Sequence, residues 1–373
     1  MSLTRRRAEE SGAQETGRLP SRGAGERPSG GAGERPSIGA GERPSGPRPV
    51  GWVPKGAGRA VGLLLLMAVG ALIPLFGPRV ALDGTGEAAA PGAGGIALLR
   101  TVLLAALCVP VGELFVVRLA RRVPGGPRQT PRGWAAGAAA AGCVAALGLA
   151  SVVATGNLLP DSPADIDVGG LYATRDGRLA LLEVNAFAAV VLCARSRRTL
   201  TQVVPLTAIV VAEALRAHPT VEDSALVGTA LTFVHLLCAV LWVGGLLCVL
   251  RTLGTRAWRA TPGAGAALLG LYARVAAVLL AAVTATGSWS TLRRMPPGTV
   301  LDQLTETAYG RALLAKVLLM AAVAALALRA RLRLRHVTDP LDACAPARAE
   351  LVVLGVVVAV SGLITALPVP IRW

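Results

Sequence analysis

Apolar runs of about twenty residues recur along this chain. At 1.5 Å per residue a helix of that length crosses the ~30 Å hydrocarbon core of a bilayer. The runs lie at about 57–77, 97–118, 133–155, 176–195, 199–217, 225–250, 266–290, 309–328 and 350–370. The fourth and fifth are short and are separated only by Ser196, Arg197 and Arg198. The expected fold is all-α: a polytopic membrane helical bundle of about nine transmembrane helices. Charged residues make up 16% of the chain, whereas a soluble domain carries about 25%. Mean hydropathy is +0.57. Both values argue against an ordinary soluble enzyme.

Charge sets the expected orientation. Lys and Arg number 38 against 22 Asp and Glu, a formal net charge of +16. With nine spans, the basic segments at 118–132, 195–198, 251–259 and 329–348 fall on the same side as the N-terminal tail. The opposite loops hold Asp83, Glu87, Asp161, Asp165, Asp167, Glu222, Asp223, Asp302 and Glu306. Because positive loops stay in the cytoplasm, the tail is expected inside and Trp373 outside. The basic groups are scattered between apolar runs, so the excess reads as cytoplasmic loops and no nucleic-acid partner is expected. The Ala, Gly and Arg bias suggests a GC-rich bacterial genome, and with it a location in the bacterial plasma membrane.

Residues 1–55 form a separate region in which 23–29, 31–37 and 39–45 each read GAGERPS. Gly, Pro, Ser and charge dominate it, too little apolar surface to offset the ordering entropy, so it is expected to be a disordered cytoplasmic tail. No apolar stretch follows Arg5, Arg6 and Arg7, so a signal peptide is not expected here. Six cysteines, Cys108, Cys143, Cys193, Cys238, Cys248 and Cys344, include no C-x-x-C pair, and five lie inside apolar runs. They read as small packing residues, not as a disulfide framework.

The chain repeats itself at a spacing of about 132 residues. Residues 152–157 (VVATGN) resemble 283–288 (VTATGS). Thr174, Gly177, Arg178, Leu181 and Val184 match Thr307, Gly310, Arg311, Leu314 and Val317, and Val111-Gly112 matches Val243-Gly244. The expectation is two parallel four-helix repeats plus a ninth helix, with units at 56–198 and 199–373. Parallel repeats occur in transporters, with sites near the repeat interface. Glu183 and Lys316 stand at equal depth in the two halves with opposite sign. Ionisable groups inside spans usually face a partner or a wet cavity, so these two are expected to pair, either locking the halves together or lining a path.

Three histidines exist: His218 just outside the fifth span, His235 within the sixth, and His336 in a basic loop. His235 lies about ten residues, or roughly 15 Å, below the outer end of its span, near mid-bilayer. Cys238 follows it by three residues and Trp242 by seven, so the three share one side of a helix. Imidazole is a common ligand for transition metals, and a thiol beside it suits Cu(I). The plainer reading of a lone intramembrane histidine is a hydrogen-bonded packing residue.

Residues 235–246 (HLLCAVLWVGGL) resemble the HLLxAxxWxGGL segment of the CopD family of copper-resistance membrane proteins. Tyr272-Ala273-Arg274 followed by Thr286-Gly287 is similar to that family's F/Y-S-R…TG helix. Thr307-Ala308-Tyr309-Gly310-Arg311 with Lys316 is similar to its T-x-Y-G-R…K helix, and Glu350 with Leu367-Pro368 to its terminal E…LP helix. These features run in family order over about residues 213–370. The resemblance implies a membrane protein of copper homeostasis that moves copper ions inward by a passive or gradient-driven route. An alternative is a non-transporting subunit that docks an extracytoplasmic copper-binding protein. His235 would be the buried ligand and His218 a ligand at the mouth, with Cys238 added from helix geometry. Glu183, Tyr309, Arg311, Lys316, Glu350 and Trp242 would support or gate the site.

A second class is a b-type haem electron-transfer protein, with His218 and His235 as the axial pair. An enzyme is not expected: H-E-x-x-H, G-x-S-x-G and Walker A motifs are all absent from the sequence.

Overall fold

A computed structural model describes residues 57–368, apart from 89, 132, 157–161, 163–166, 197–198, 219–223, 296 and 335–343. The repeat-bearing tail and His336 lie outside the described residues. The described chain is helical, with α1 (Ala57–Leu82), α2 (Ala93–Ala120), α3 (Trp134–Thr155), α4 (Val168–Ala173), α5 (Arg175–Ala194) and α6 (Val203–Arg216). There follow α7 (Ala225–Leu253), α8 (Arg256–Arg259), α9 (Pro262–Arg294), α10 (Val300–Glu306), α11 (Ala308–Leu334) and α12 (Cys344–Ile364).

Among the described residues, seven helices are long and apolar enough to cross a membrane: α2, α3, α5, α7 and stretches of α9, α11 and α12. The sequence expectation of nine is therefore met in seven places. The 14 residues of α6 rise only about 21 Å. A 3₁₀ turn, Thr199–Gln202, runs directly into it through Gln202, whose φ of −74° and ψ of −18° are helical. In α1 the described apolar stretch is Met67–Leu82, also short.

Large apolar side chains cover the outside of the bundle. Leu226 is 84% exposed, Val204 77% and Val80 74%, and Val144, Leu192, Val278 and Leu318 are exposed as well. In water such a girdle would drive association; facing acyl chains it is the expected boundary. The protein is a multi-pass all-α membrane protein.

Inside, one apolar cluster joins α2, α3, α5 and α6 through Leu103, Leu107, Ala146, Leu149, Phe187, Val190 and Ile209. A second joins α2, α7, α9 and α12 through Val116, Trp242, Leu246, Leu268, Tyr272 and Leu354. Between them α2 and α7 cross with their backbones touching. A Cβ added at Gly244 would collide with the carbonyl of Cys108, and one at Gly112 with the carbonyl of Gly244. These are the two glycines that the sequence repeat aligns. Small residues at a crossing let helices approach closely in lipid, where packing rather than water expulsion holds them.

The other aligned segments have matching local structure. Thr174 caps α5 by accepting from Gly177 N at 3.1 Å, and Thr307 caps α11 by accepting from Gly310 N at 3.0 Å. Each threonine hydroxyl also donates to the carbonyl four residues back, Gly170 at 2.8 Å and Gln303 at 2.6 Å. Both residues are extended, with ψ of 154° and 148°, so a short helix turns a corner into a long one at each place.

Candidate functional site

Gly228, His235 and Trp242 are spaced by seven residues and so fall along one stripe of α7, each about 10.5 Å of rise from the next. His235 is half-buried and turned toward α9, where its Nδ1 lies 3.0 Å from Thr286 Oγ1. The Thr286 hydroxyl proton is already used: it donates to the Ala282 carbonyl at 2.7 Å. Its oxygen can therefore only accept from the ring, which puts the imidazole proton on Nδ1 and leaves the Nε2 lone pair for a ligand. Gly287 flanks the ring closely, since a Cβ there would stand 3.3 Å from Cε1. The half-buried Lys316 of α11 lies near enough for its charge to act on His235.

His218 is 3% exposed, a packed residue more than an open mouth. Its ring rests on Gly228, and its Nε2 meets Thr232 Oγ1 at 2.8 Å. Thr232 precedes His235 by three residues on the same helix, so both histidines address one face of α7. The end of α6 that carries His218 is held by Arg175, whose guanidinium donates to the carbonyls of Leu215 at 2.7 Å and His218 at 3.1 Å.

The expected Glu183–Lys316 pair does not form. Glu183 is fully buried and pairs with Arg216 of α6 at 3.0 Å. Arg216 also lies 3.7 Å from Glu213, which is bound by Arg100 of α2. The reason is the crossing at Gly112 and Gly244. With α2 and α7 in contact, α5 packs on α3 and α6, while α11 packs on α12 and α1. The matched helices α5 and α11 are thereby kept apart.

Cys238 is a half-buried free thiol packed against the cluster around Trp242 and Tyr272. Among the described residues no three His, Cys, Asp or Glu side chains come together to hold a metal ion. His235, His218 and Cys238 are thus successive positions near one helix and not one shell. Tyr309 is buried at the α10–α11 corner. Arg311 ties that corner to the α1–α2 loop through the carbonyls of Thr305 at 2.8 Å and Asp83 at 2.6 Å.

Below His235 on the stripe, Trp242 Nε1 donates to Glu350 Oε1 at 3.3 Å, and the Tyr272 hydroxyl donates to the Trp242 carbonyl at 2.8 Å. These three residues line a cavity of about 220 Å³ between α7, α9, α11 and α12. At the other end of the α7–α9 seam, an open cleft of about 430 Å³ is lined by Ser224, Val227, Trp289, Leu292 and Arg293. The sequence reading missed the roles of Arg100, Arg175, Glu213 and Arg216. Glu213 and Arg216, three apart inside an apolar run, were a usable sign.

Residues 266–364 match the family model Copper resistance protein D, CopD. This segment is CopD-like. The match runs from α9 to α12 and takes in Tyr272, Thr286, Gly287, Tyr309, Arg311, Lys316 and Glu350. It covers about a quarter of the chain and does not reach back to α7, so His235 contacts the CopD-like segment from outside it, through Thr286 and Gly287. No curated protein and no solved structure matches the chain.

Proposed function

We propose that this membrane protein serves copper homeostasis by passing Cu(I) inward, down its gradient, along the face that α7 shares with α9. The reading rests on one observation above all: a half-buried intramembrane imidazole is bonded through Nδ1 to Thr286 of α9, which leaves its Nε2 lone pair for a ligand. The CopD-like character of α9 to α12 supports copper as the cargo. An ion arriving at the Trp289–Arg293 cleft, where an extracytoplasmic copper carrier would dock, would pass the packed His218–Thr232 pair and reach His235 one turn beyond Thr232. Cys238 offers a soft donor on the next turn. The Lys316 charge near His235 opposes a tightly held cation. That suits a transit station, because conduction requires entry without trapping. No bond-making step is assigned; the chain acts by binding and release, with its tail in the cytoplasm.

The test is Cu(I) uptake into liposomes holding the purified full-length protein. The wild type should load the vesicles and His235→Ala should fall to the rate of protein-free liposomes. Equal uptake by the two proteins would refute the proposal. Stoichiometric Cu(I) binding without uptake would instead favour a subunit that only docks the carrier.

A further inference from the structure

Glu350 sits where a carboxylate is costly. It is 6% exposed, and its hydrogen bond comes from Trp242 Nε1 to Oε1. The rest of the cavity it lines is aliphatic: Leu246, Leu269, Ala276, Leu280 and Ala324 among others. The Tyr272 hydroxyl is committed to the Trp242 carbonyl, and the indole N–H can only donate. Among the described residues Oε2 has no hydrogen-bond partner although Glu350 lines the cavity, and a buried carboxylate demands one.

The donor set argues against a metal ion in this place. A single hard oxygen cannot replace the hydration shell of a cation, and it is a poor ligand for soft Cu(I). An organic cation meets both demands of the cavity: its ammonium pairs with Oε2 in a charge-assisted hydrogen bond, and its body covers the aliphatic wall. Size narrows the class. A dry apolar cavity of about 150 Å³ is known to hold benzene, so about 220 Å³ takes one ring with a short arm. Leu328 on the lining is 59% exposed, so the mouth opens beside it onto the outer surface of the bundle.

We propose that the cavity between α7, α9, α11 and α12 is a binding site for a small hydrophobic primary amine, its ammonium seated on Glu350 and its apolar body against Ala276, Leu280 and Ala324. This site stands apart from the copper reading and does not depend on it.

The probe is benzylamine, titrated calorimetrically into the full-length protein in lipid nanodiscs, with the heat of protein-free nanodiscs subtracted. One equivalent should bind per chain. Glu350→Gln should weaken binding by about tenfold or more, the worth of a hydrogen bond to a charged group. Benzyl alcohol, of the same shape without the charge, should bind the wild type about tenfold more weakly on the same grounds. Ala276→Leu, which fills the cavity and keeps Glu350, should abolish binding. The proposal is overturned if the wild type gives no saturable heat, if Glu350→Gln or Ala276→Leu binds as the wild type does, or if benzyl alcohol matches benzylamine. Should Glu350→Gln fail to fold, Ala276→Leu decides.

Discussion

His235 Nδ1 lies 3.0 Å from Thr286 Oγ1, and this bond between α7 and α9 selects which ring nitrogen is left for a ligand. Thr286→Val keeps the side-chain shape and removes the acceptor. Loss of such an orienting partner typically costs about 10–100-fold in metal affinity. That loss is expected here in a competition titration against a coloured Cu(I) chelator, with Thr286→Ser near wild type and His235→Ala below detection. Wild-type affinity in Thr286→Val would mean that the bond does not orient a ligand.

Gly244→Ala drives a methyl into the Cys108 carbonyl at the α2–α7 crossing. Overpacking of this kind costs about 1–3 kcal/mol, read as a lower melting temperature in detergent. Gly270→Ala in α9 is the control, because nothing lies within 4 Å of the added carbon. That change should be neutral or should stabilise by up to about 1 kcal/mol through helix propensity. A melting temperature unchanged in Gly244→Ala would contradict the close crossing.

Arg216→Met leaves the fully buried Glu183 without its cation. Breaking one side of a buried pair typically costs about 3–5 kcal/mol. The double variant Glu183→Gln/Arg216→Met should recover a large part of that loss in a double-mutant cycle. Additive single effects would rule out the pair, and a matching cycle with Lys316→Met should show no coupling to Glu183.

Thr174→Ala and Thr307→Ala each remove a helix cap, worth about 1 kcal/mol. Amide exchange should quicken in the first turn of α5 for the first variant and of α11 for the second, each leaving the other corner unchanged. Exchange that spreads across both corners would show that they are not independent caps.

Much of the fold was legible because lipid imposes a simple rule. A run of some twenty apolar residues has to be a helix, so α2, α3, α5, α7, α9, α11 and α12 fall close to the runs marked in the sequence. Thr174 with Gly177 and Thr307 with Gly310 were visible as a repeat, and the hydrogen bonds that make each a corner are local. What failed was the Glu183–Lys316 pair. It was inferred from depth and sign alone, and equal depth says nothing about which helices are neighbours.

Chain order and residue type by themselves determined the helices, their apolar outer faces, the two corners and the stripe on α7 that carries His235 and Trp242. Each follows from forces acting within a few residues, or between one residue and the surrounding solvent. Tertiary structure alone decided that Gly112 meets Gly244, that Glu183 meets Arg216, that Thr286 accepts from His235 Nδ1, and that Glu350 lines a cavity beside Trp242. Those contacts join residues far apart in the chain, and they depend on which helix faces pack together, a choice that apolar pattern leaves open when every face of a span is greasy.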